Sequence, residues 1–244
     1  MTELTVVMPA YNEGTRIYRN LMETAAQLQR FTDSWRIICV NDGSSDETEA
    51  EVRRAAAENR RIGMISYSPN QGKGYAVRRG MLASESRYTA FLDSDLELPP
   101  YQLEGFLKKI RETGADMVIG SKLHPDSRVE YPFFRRVMSR GYYVLMKLLF
   151  HLPVRDTQTG CKLFRTETLR PVLRAARSKS FSFDVEILAL GAKFGRRIEE
   201  MPVIVNFSRN KSNQSKIRLR SVFDMAVEAL KVKRRVRKTK FLPE

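Results

Sequence analysis

Phe91-Leu92-Asp93-Ser94-Asp95-Leu96-Glu97-Leu98-Pro99-Pro100 is the stretch from which the fold of this chain is read. An apolar run, Tyr88 to Leu92, delivers two carboxylates spaced i, i+2, then a third at Glu97, then a double proline. Read as a buried strand, the run brings Asp93 and Asp95 out at its carboxyl end, where open α/β sheets bind ligands. Alternate residues of an extended chain point the same way, so both carboxylates can converge on one cation. Oxygen-only ligation suits a hard ion, Mg²⁺ or Mn²⁺, which would in turn hold a diphosphate. A D-x-D standing alone is more often a solvated turn or a helix start, so its meaning rests on the surrounding chain.

Upstream, the pattern is regular. Leu4 to Met8, ended by Pro9, reads as a first buried strand, and residues 15 to 31 show helical periodicity through Ile17, Leu21, Ala25 and Leu28. Trp35 to Val40 and Ile62 to Tyr67 read as further strands, each followed by a polar or glycine-rich loop and a helix, Glu47 to Ala57 and Tyr75 to Ser84. Pro100 to Thr113 is a helix by pattern, and Met117 to Ile119 a fifth strand. Strands alternating with helices predict an α/β, Rossmann-like, mostly parallel sheet with helices on both faces. After Gly120 the character changes to an aromatic and basic segment, Phe133 to Leu152, which either packs as a core helix or lies in an interface. Arg155 to Phe164 is a polar loop into a strand, Ser182 starts a helix to Phe194, and Met201 to Phe207 reads as a closing strand.

From Ile217 a basic amphipathic C-terminal helix is expected, with Leu219, Val222, Phe223, Ala226 and Leu230 on one face. Lys233 to Lys240 then holds six basic residues in eight. Such a run is either a solvated face or a contact with an anionic membrane surface, and the adjoining apolar stripe favours the membrane. The 244 residues accommodate one domain, read as parts 1–122 and 123–216 followed by a basic tail, 217–244.

A hydrophobic content of 42% with 29% charged residues is that of a globular protein, and a formal charge of +15 calls for an anionic partner. Cys39 and Cys161 provide no disulfide framework, which points to a reducing compartment. No signal peptide and no apolar stretch of about 18 residues are visible, so no span is expected.

Three loops follow three strands: Pro9-Ala10-Tyr11-Asn12-Glu13, Asn41-Asp42-Gly43-Ser44-Ser45-Asp46, and Asp93-Ser94-Asp95. An ionised acid accepts from adjacent N–H or O–H groups, which suits a nucleobase or ribose. Neither a Walker A loop nor a G-x-G-x-x-G follows the first strand, which argues against kinase-like and dehydrogenase-like sites.

Taken with Asn70-Gln71-Gly72-Lys73-Gly74, Gly120-Ser121-Lys122 and Arg155-Asp156-Thr157-Gln158-Thr159-Gly160-Cys161-Lys162-Leu163-Phe164, these loops resemble the family 2 glycosyltransferases with a GT-A fold. The resemblance spans about Leu4 to Lys216 and is nearest the dolichyl- or polyprenyl-phosphate hexosyltransferases, the dolichyl-phosphate glucosyltransferase branch in particular.

It implies that Pro9, Tyr11, Glu13, Asp42, Asp93 and Ser94 hold the nucleotide sugar, and that Asp93, Asp95 and Glu97 hold Mg²⁺ or Mn²⁺. Many relatives carry Gln at the position of Glu97; a third carboxylate there suits a cation at least as well. Lys73 either reaches the nucleotide or is a solvated loop residue. On the acceptor side the resemblance implies Lys122, Arg135, Arg209 and Lys216 as phosphate-binding groups. Asp156, with Asp95, is implied as catalytic, orienting the nucleophile, unless Asp156 is a buried partner for Arg155 or Lys162. Glu186 lies either near the sugar or at a helix cap.

The expected activity is transfer of a hexose, glucose from UDP-glucose, to a polyprenyl or dolichyl phosphate with inversion, by a protein peripheral on the cytoplasmic face of a membrane. GDP-mannose as donor and a non-polyprenyl acceptor are the alternatives within the fold. A basic nucleic-acid-binding protein and a silent membrane scaffold are the alternatives outside it. Carboxylate loops at the centre of the molecule would repel a phosphate backbone, so no nucleic-acid partner is expected.

Overall fold

The computed structural model describes residues 2–129, 133–206 and 219–240, with side chains for all of these but 133–140 and 219–226. Five strands arise where apolar runs were expected: β1 (Leu4–Ala10), β2 (Trp35–Asp42), β3 (Ile62–Tyr67), β4 (Tyr88–Leu92) and β5 (Met117–Ser121). Helices α1 (Gly14–Leu28), α2 (Thr48–Glu58), α3 (Lys73–Leu82) and α4 (Leu103–Thr113) separate them, the last entered through a 3₁₀ turn at Pro100–Gln102. The second half supplies β6 (Arg128–Val129), α5 (Phe133–Phe150), β7 (Cys161–Arg165), α6 (Thr166–Ala175), α7 (Ser182–Lys193), β8 (Ile198–Pro202), β9 (Ile204–Val205) and α8 (Leu219–Lys238).

The seven-stranded sheet has the order β3-β2-β1-β4-β7-β5-β8, and β6 pairs with β9 in a second, two-stranded sheet. Pairings β3–β2, β2–β1, β1–β4 and β5–β8 are parallel, while β7 runs antiparallel between β4 and β5. The mostly parallel architecture is therefore present. Side chains alternate across the strands with period two: Val6, Met8, Ile37 and Cys39 enter one core, Val7, Ile38 and Val40 the other. Helices α1, α2 and α4 cover the first face, and α3, α5, α6, α7 and α8 cover the second. Each fully buried Leu, Ile or Val contributes roughly 1.5–3 kcal/mol, so the two layers dominate the stability of the sheet.

The chain winds outward from β1 to β3, then returns past β1 to begin β4 on the other side. Between β1 and β4 the winding reverses, and a crevice opens at the carboxyl ends of the strands. The loops at Pro9, Asp42 and Asp93 all leave the sheet at that edge because β1, β2 and β4 are mutually parallel. The register Leu92↔Cys161 brings Gly160 there too, beside Asp93.

Three expectations need correction. The closing strand is two short strands, β8 ending at Pro202 and β9 pairing with β6, because the Val203 carbonyl and N–H bond to Arg128 and Ser127 instead. Helix α6 was not anticipated. It contains Pro171, which removes one helical hydrogen bond, and is held by Leu169, Val172 and Leu173 packing into the core. In α8 the packed stripe is Ala229, Val232 and Val236 against α7 and α5, while Leu230 faces outward at 55% exposure. Of the expected stripe, the side chains of Leu219, Val222, Phe223 and Ala226 lie outside the described residues. The Lys193 ammonium donates to the Val236 and Arg237 carbonyls at 2.7 and 2.8 Å, capping the end of α8. Among the described residues no helix is long and apolar enough to cross a membrane.

Candidate active site

The first loop turns at Asn12, whose φ of 52° lies in the left-handed region tolerated by Asn. Its N–H donates to Ser44 Oγ at 3.0 Å and its side-chain oxygen accepts from the Ser45 N–H at 2.9 Å, which binds the first loop to the second. The Glu13 N–H donates to Thr48 Oγ1 at 2.8 Å, and the Gly14 N–H to Asp46 Oδ2 at 3.0 Å. An Asp carboxylate thus serves the start of α1 from another loop. Burial raises the pKa of Glu13 despite its ion pair with Arg16, and the charges of Asp46 and Asp93 add to the rise. Pro9 is buried at the end of β1, whereas Tyr11 stands 51% exposed at the rim.

Asp42, at the end of β2, is buried. Its carboxylate accepts from the Gln71 N–H at 2.8 Å, the Gly72 N–H at 2.9 Å and Asn70 Nδ2 at 3.0 Å. Three of its acceptor sites are thus used in holding the 70–72 loop. That loop presents Lys73, whose ammonium meets Asp93 Oδ1 at 2.6 Å and lies 5.0 Å from the centroid of the Phe91 ring. Burial would lower the pKa of Lys73, but Asp93 and Asp184 together bring it above the usual lysine value. Lys73 is thus an ion-paired, half-buried group at this edge of the sheet.

Asp93 leaves β4 with its N–H on the Gly160 carbonyl at 2.9 Å. Asp95 accepts the Glu97 N–H at 3.1 Å, and Leu96 between them has φ 52°. Ser94 is buried, and its carbonyl accepts from Asn20 Nδ2 of α1 at 2.7 Å. Burial, with the neighbouring charge of Asp93 and then of Glu97, pushes the Asp95 carboxyl up to about 6. A carboxylate this disfavoured in its charged form marks a place where added positive charge is welcome.

The oxygen-only, net negative set therefore fits a divalent cation. Among the described residues no three acidic, His or Cys side chains form a closed cage, so the expected trio of Asp93, Asp95 and Glu97 is not a ready-made three-ligand site. A cation held by one or two of these carboxylates, with the remaining positions filled by diphosphate and water, is the arrangement such a set supports.

Gly160 is a functional position that pattern reading passed over. A Cβ there would lie 2.0 Å from Asp93 Oδ2 and 2.6 Å from Asp93 Cγ. Gly160→Ala is expected to keep the fold and turn the Asp93 side chain away. Donor turnover should fall about 10²-fold, as a displacement of roughly 1 Å at a reacting group does. Unchanged turnover at matched thermal stability would remove Asp93 from the site.

Across the crevice, the 156–160 loop is organised by Asp156, which is 8% exposed. Its oxygens accept from the Lys122 N–H at 3.0 Å, Thr159 Oγ1 at 2.6 Å and the Gln158 N–H at 2.9 Å, with Lys122 Nζ at 3.7 Å. Burial raises its pKa, but Lys122 and these hydrogen bonds bring it below the usual carboxylate value. Asp156 is therefore an ionised group whose partners set Lys122 and the 156–160 loop. Its partner is Lys122 rather than Arg155 or Lys162.

Lys162 pairs elsewhere. Fully buried, it donates to the Thr159 carbonyl at 2.6 Å and to Asp184 Oδ1 at the start of α7, 5.4 Å from the Phe91 ring centroid. Glu186 caps a turn: its Oε2 accepts the Arg177 and Ser178 N–H groups at 2.9 and 2.6 Å. Arg209 and Lys216 lie outside the described residues, as does the side chain of Arg135 on α5. Gln158 and Tyr142 of α5 were not singled out, although Gln158 Nε2 donates to the Tyr142 hydroxyl at 3.3 Å beside the Asp156 loop.

Residues 5–173 match the model of the family described as "Glycosyl transferase family 2". A dolichyl-phosphate beta-glucosyltransferase of Trichomonas vaginalis is 31% identical over 238 residues, 94% of this chain and 72% of the relative. The Drosophila melanogaster enzyme of that name is 34% identical over 217 residues, 82% of this chain and 66% of the relative. Among solved structures, glucosyl-3-phosphoglycerate synthase of Mycobacterium tuberculosis in complex with uridine diphosphate superposes with a TM-score of 0.68 at 18% identity. The match covers 98% of this chain and 82% of that one, and shows a shared GT-A fold.

Proposed function

Because the chain belongs to glycosyl transferase family 2, we propose that it moves glucose from UDP-glucose to a polyprenyl or dolichyl phosphate. The carrying observation is the acidic pair Asp93 and Asp95 with Lys73 at the switch point between β1 and β4. Residues 1–122 hold the donor and residues 123–216 the acceptor. Asp93 and Asp95, assisted by Glu97, would hold a divalent cation, Mn²⁺ or Mg²⁺, which would supply positive charge for the diphosphate of the donor. Relatives named dolichyl-phosphate beta-glucosyltransferase supply the acceptor class, and a fold neighbour crystallised with Mn²⁺ and UDP supports the donor class.

A lipid phosphate is already an anion at neutral pH, so its oxygen attacks the anomeric carbon without a dedicated base. The carbon–oxygen bond to the nucleoside diphosphate breaks on the opposite face, and an α-linked donor becomes a β-linked product. Lys122, set by Asp156, receives the acceptor phosphate, and Lys73 turns from Asp93 towards the diphosphate as charge develops there. Release of nucleoside diphosphate from UDP-glucose and from GDP-mannose with Mn²⁺, with and without polyprenyl phosphate in detergent, tests this. Lipid-stimulated UDP release is expected. Stimulation with GDP-mannose alone would replace the donor, and no lipid dependence would replace the acceptor.

We place the protein on the cytoplasmic face of an anionic membrane. Opposite the buried Met146, α5 turns Val144 and Leu148 outward at 51% and 67% exposure, with exposed Lys147 between them. Helix α8, packed against α5, adds exposed Lys231, Lys233, Arg234, Arg237 and Lys238. Apolar side chains framed by cations complement an anionic bilayer, each cation contributing about 1 kcal/mol near the surface. Vesicle sedimentation should show binding to phosphatidylserine-containing vesicles that weakens with salt. Leu148→Glu should reduce it about tenfold, by loss of apolar contact and like-charge repulsion. Equal binding to neutral vesicles, insensitive to salt, would overturn this surface.

A further inference from the structure

Helix α8 does more than present a basic face, because one of its arginines reaches a segment that braces the donor site. Arg235 Nη2 donates to Ser178 Oγ at 2.8 Å, and Arg235 Nε lies 3.4 Å from Glu186 Oε1. Glu186 is 1% exposed, and its other oxygen accepts the N–H groups of Arg177 and Ser178. The turn so fixed continues into Lys179. The Lys179 carbonyl accepts the Tyr75 N–H at 3.2 Å, one of the donors in the first turn of α3 that has no partner within the helix. Lys179 Nζ donates to Gln71 Oε1 at 3.0 Å. Gly72, at φ 97°, passes so close that a Cβ would lie 2.5 Å from the same carbonyl. The next residue is Lys73, which holds Asp93.

We infer that Arg235 is a positioning residue for the donor site, acting through Glu186 and segment 177–180 on Gly72–Tyr75 and so on the Lys73–Asp93 pair. The inference rests on reading the Asp93 cluster as the donor site. It makes the basic C-terminal helix part of the structure that sets donor affinity. Each step is a hydrogen bond or an ion pair between groups with defined geometry, and none passes through the hydrophobic core. Loosening α8 at its basic end should therefore reach the diphosphate site while the sheet stays intact.

Amide hydrogen exchange on the full chain tests the linkage, using Arg235→Ala and Glu186→Gln. The second variant keeps an oxygen for the Arg177 and Ser178 N–H groups and removes the charge that faces Arg235. In both, exchange at Tyr75, Arg177 and Ser178 is expected to rise about tenfold or more with β1 and β2 unchanged. Arg235→Lys should fall between them and the parent. Exchange that rises only within α8, or equally over the whole sheet in both variants, overturns the linkage. In turnover assays Arg235→Ala should raise the KM for UDP-glucose about fivefold and leave the acceptor KM unchanged. Absence of any UDP-glucose turnover by the parent would sink the proposed function, while exchange at Tyr75 still decides the linkage.

Discussion

Asp95→Asn is expected to abolish metal-dependent turnover, by about 10³-fold or more, and at the same time to raise the melting temperature of the metal-free protein. The two effects share one cause. The folded protein holds the Asp95 carboxyl at about 6, above the ordinary aspartate value of 3.8, because burial and the charges of Asp93 and Glu97 oppose its ionisation. A carboxyl whose pKa rises on folding binds its proton more tightly in the native state. Its contribution to stability is present below about pH 4 and is lost as pH climbs through about 6.

At pH 7 the ionised group therefore works against the fold. A two-unit shift has a ceiling of roughly 3 kcal/mol, and partial contact with water reduces it to about 1–2 kcal/mol. Asparagine keeps an oxygen for the Glu97 N–H and removes the charge. In the parent, Mn²⁺ should raise the melting temperature, with an affinity that weakens below about pH 6 as protons compete for Asp95. The variant should be more stable without metal and show no response to it. A variant that is destabilised, or one that still responds to Mn²⁺, would mean that Asp95 is not the strained member of the cluster.

The second large effect lies at Lys162. Its ammonium is 0% exposed and is shared between Asp184 and the Thr159 carbonyl. Lys162→Met preserves most of the volume and leaves the Asp184 carboxylate buried without its cation, which should destabilise the protein by about 3–5 kcal/mol. Urea unfolding would measure the loss. The double variant Lys162→Met with Asp184→Leu should recover much of it, because an apolar pair in the same space leaves no charge uncompensated. Turnover should fall with the single variant as well, since Thr159 adjoins the glycine that touches Asp93. A loss below about 1 kcal/mol would mean that water or another cation serves Asp184.

The donor half was legible because its signals are local. Short apolar runs at Leu4 to Met8 and Trp35 to Val40 dictate buried strands, and a polar loop after each strand dictates where the chemistry gathers. Other groups depend on partners distant in sequence. Nothing near Asp42 shows that its carboxylate serves residues 70–72, and nothing near Lys162 shows that its counter-ion is Asp184. Likewise nothing near Asp156 shows that Lys122 is its ion-pair partner. Pro171 hid α6, although Leu169, Val172 and Leu173 carry a helical spacing that could have revealed it. In α8 Leu230 faces outward while Ala229 and Val232 are buried, and Lys193 and Arg235 add polar contacts to that packing.

The antiparallel strand β7 has a consequence for exchanging parts among relatives. It sits between β4 and β5, so the later portion of the chain does not append to a finished nucleotide-binding module but supplies an interior strand of its sheet. A chimera joined after Lys122 would import Gly160 together with new pairing partners for Tyr88 to Leu92. With residues 123–216 proposed to hold the acceptor, its preference would be inherited with the strand that seats Asp93. Recombination that respects the loops but ignores this pairing would disturb the donor chemistry it meant to leave alone.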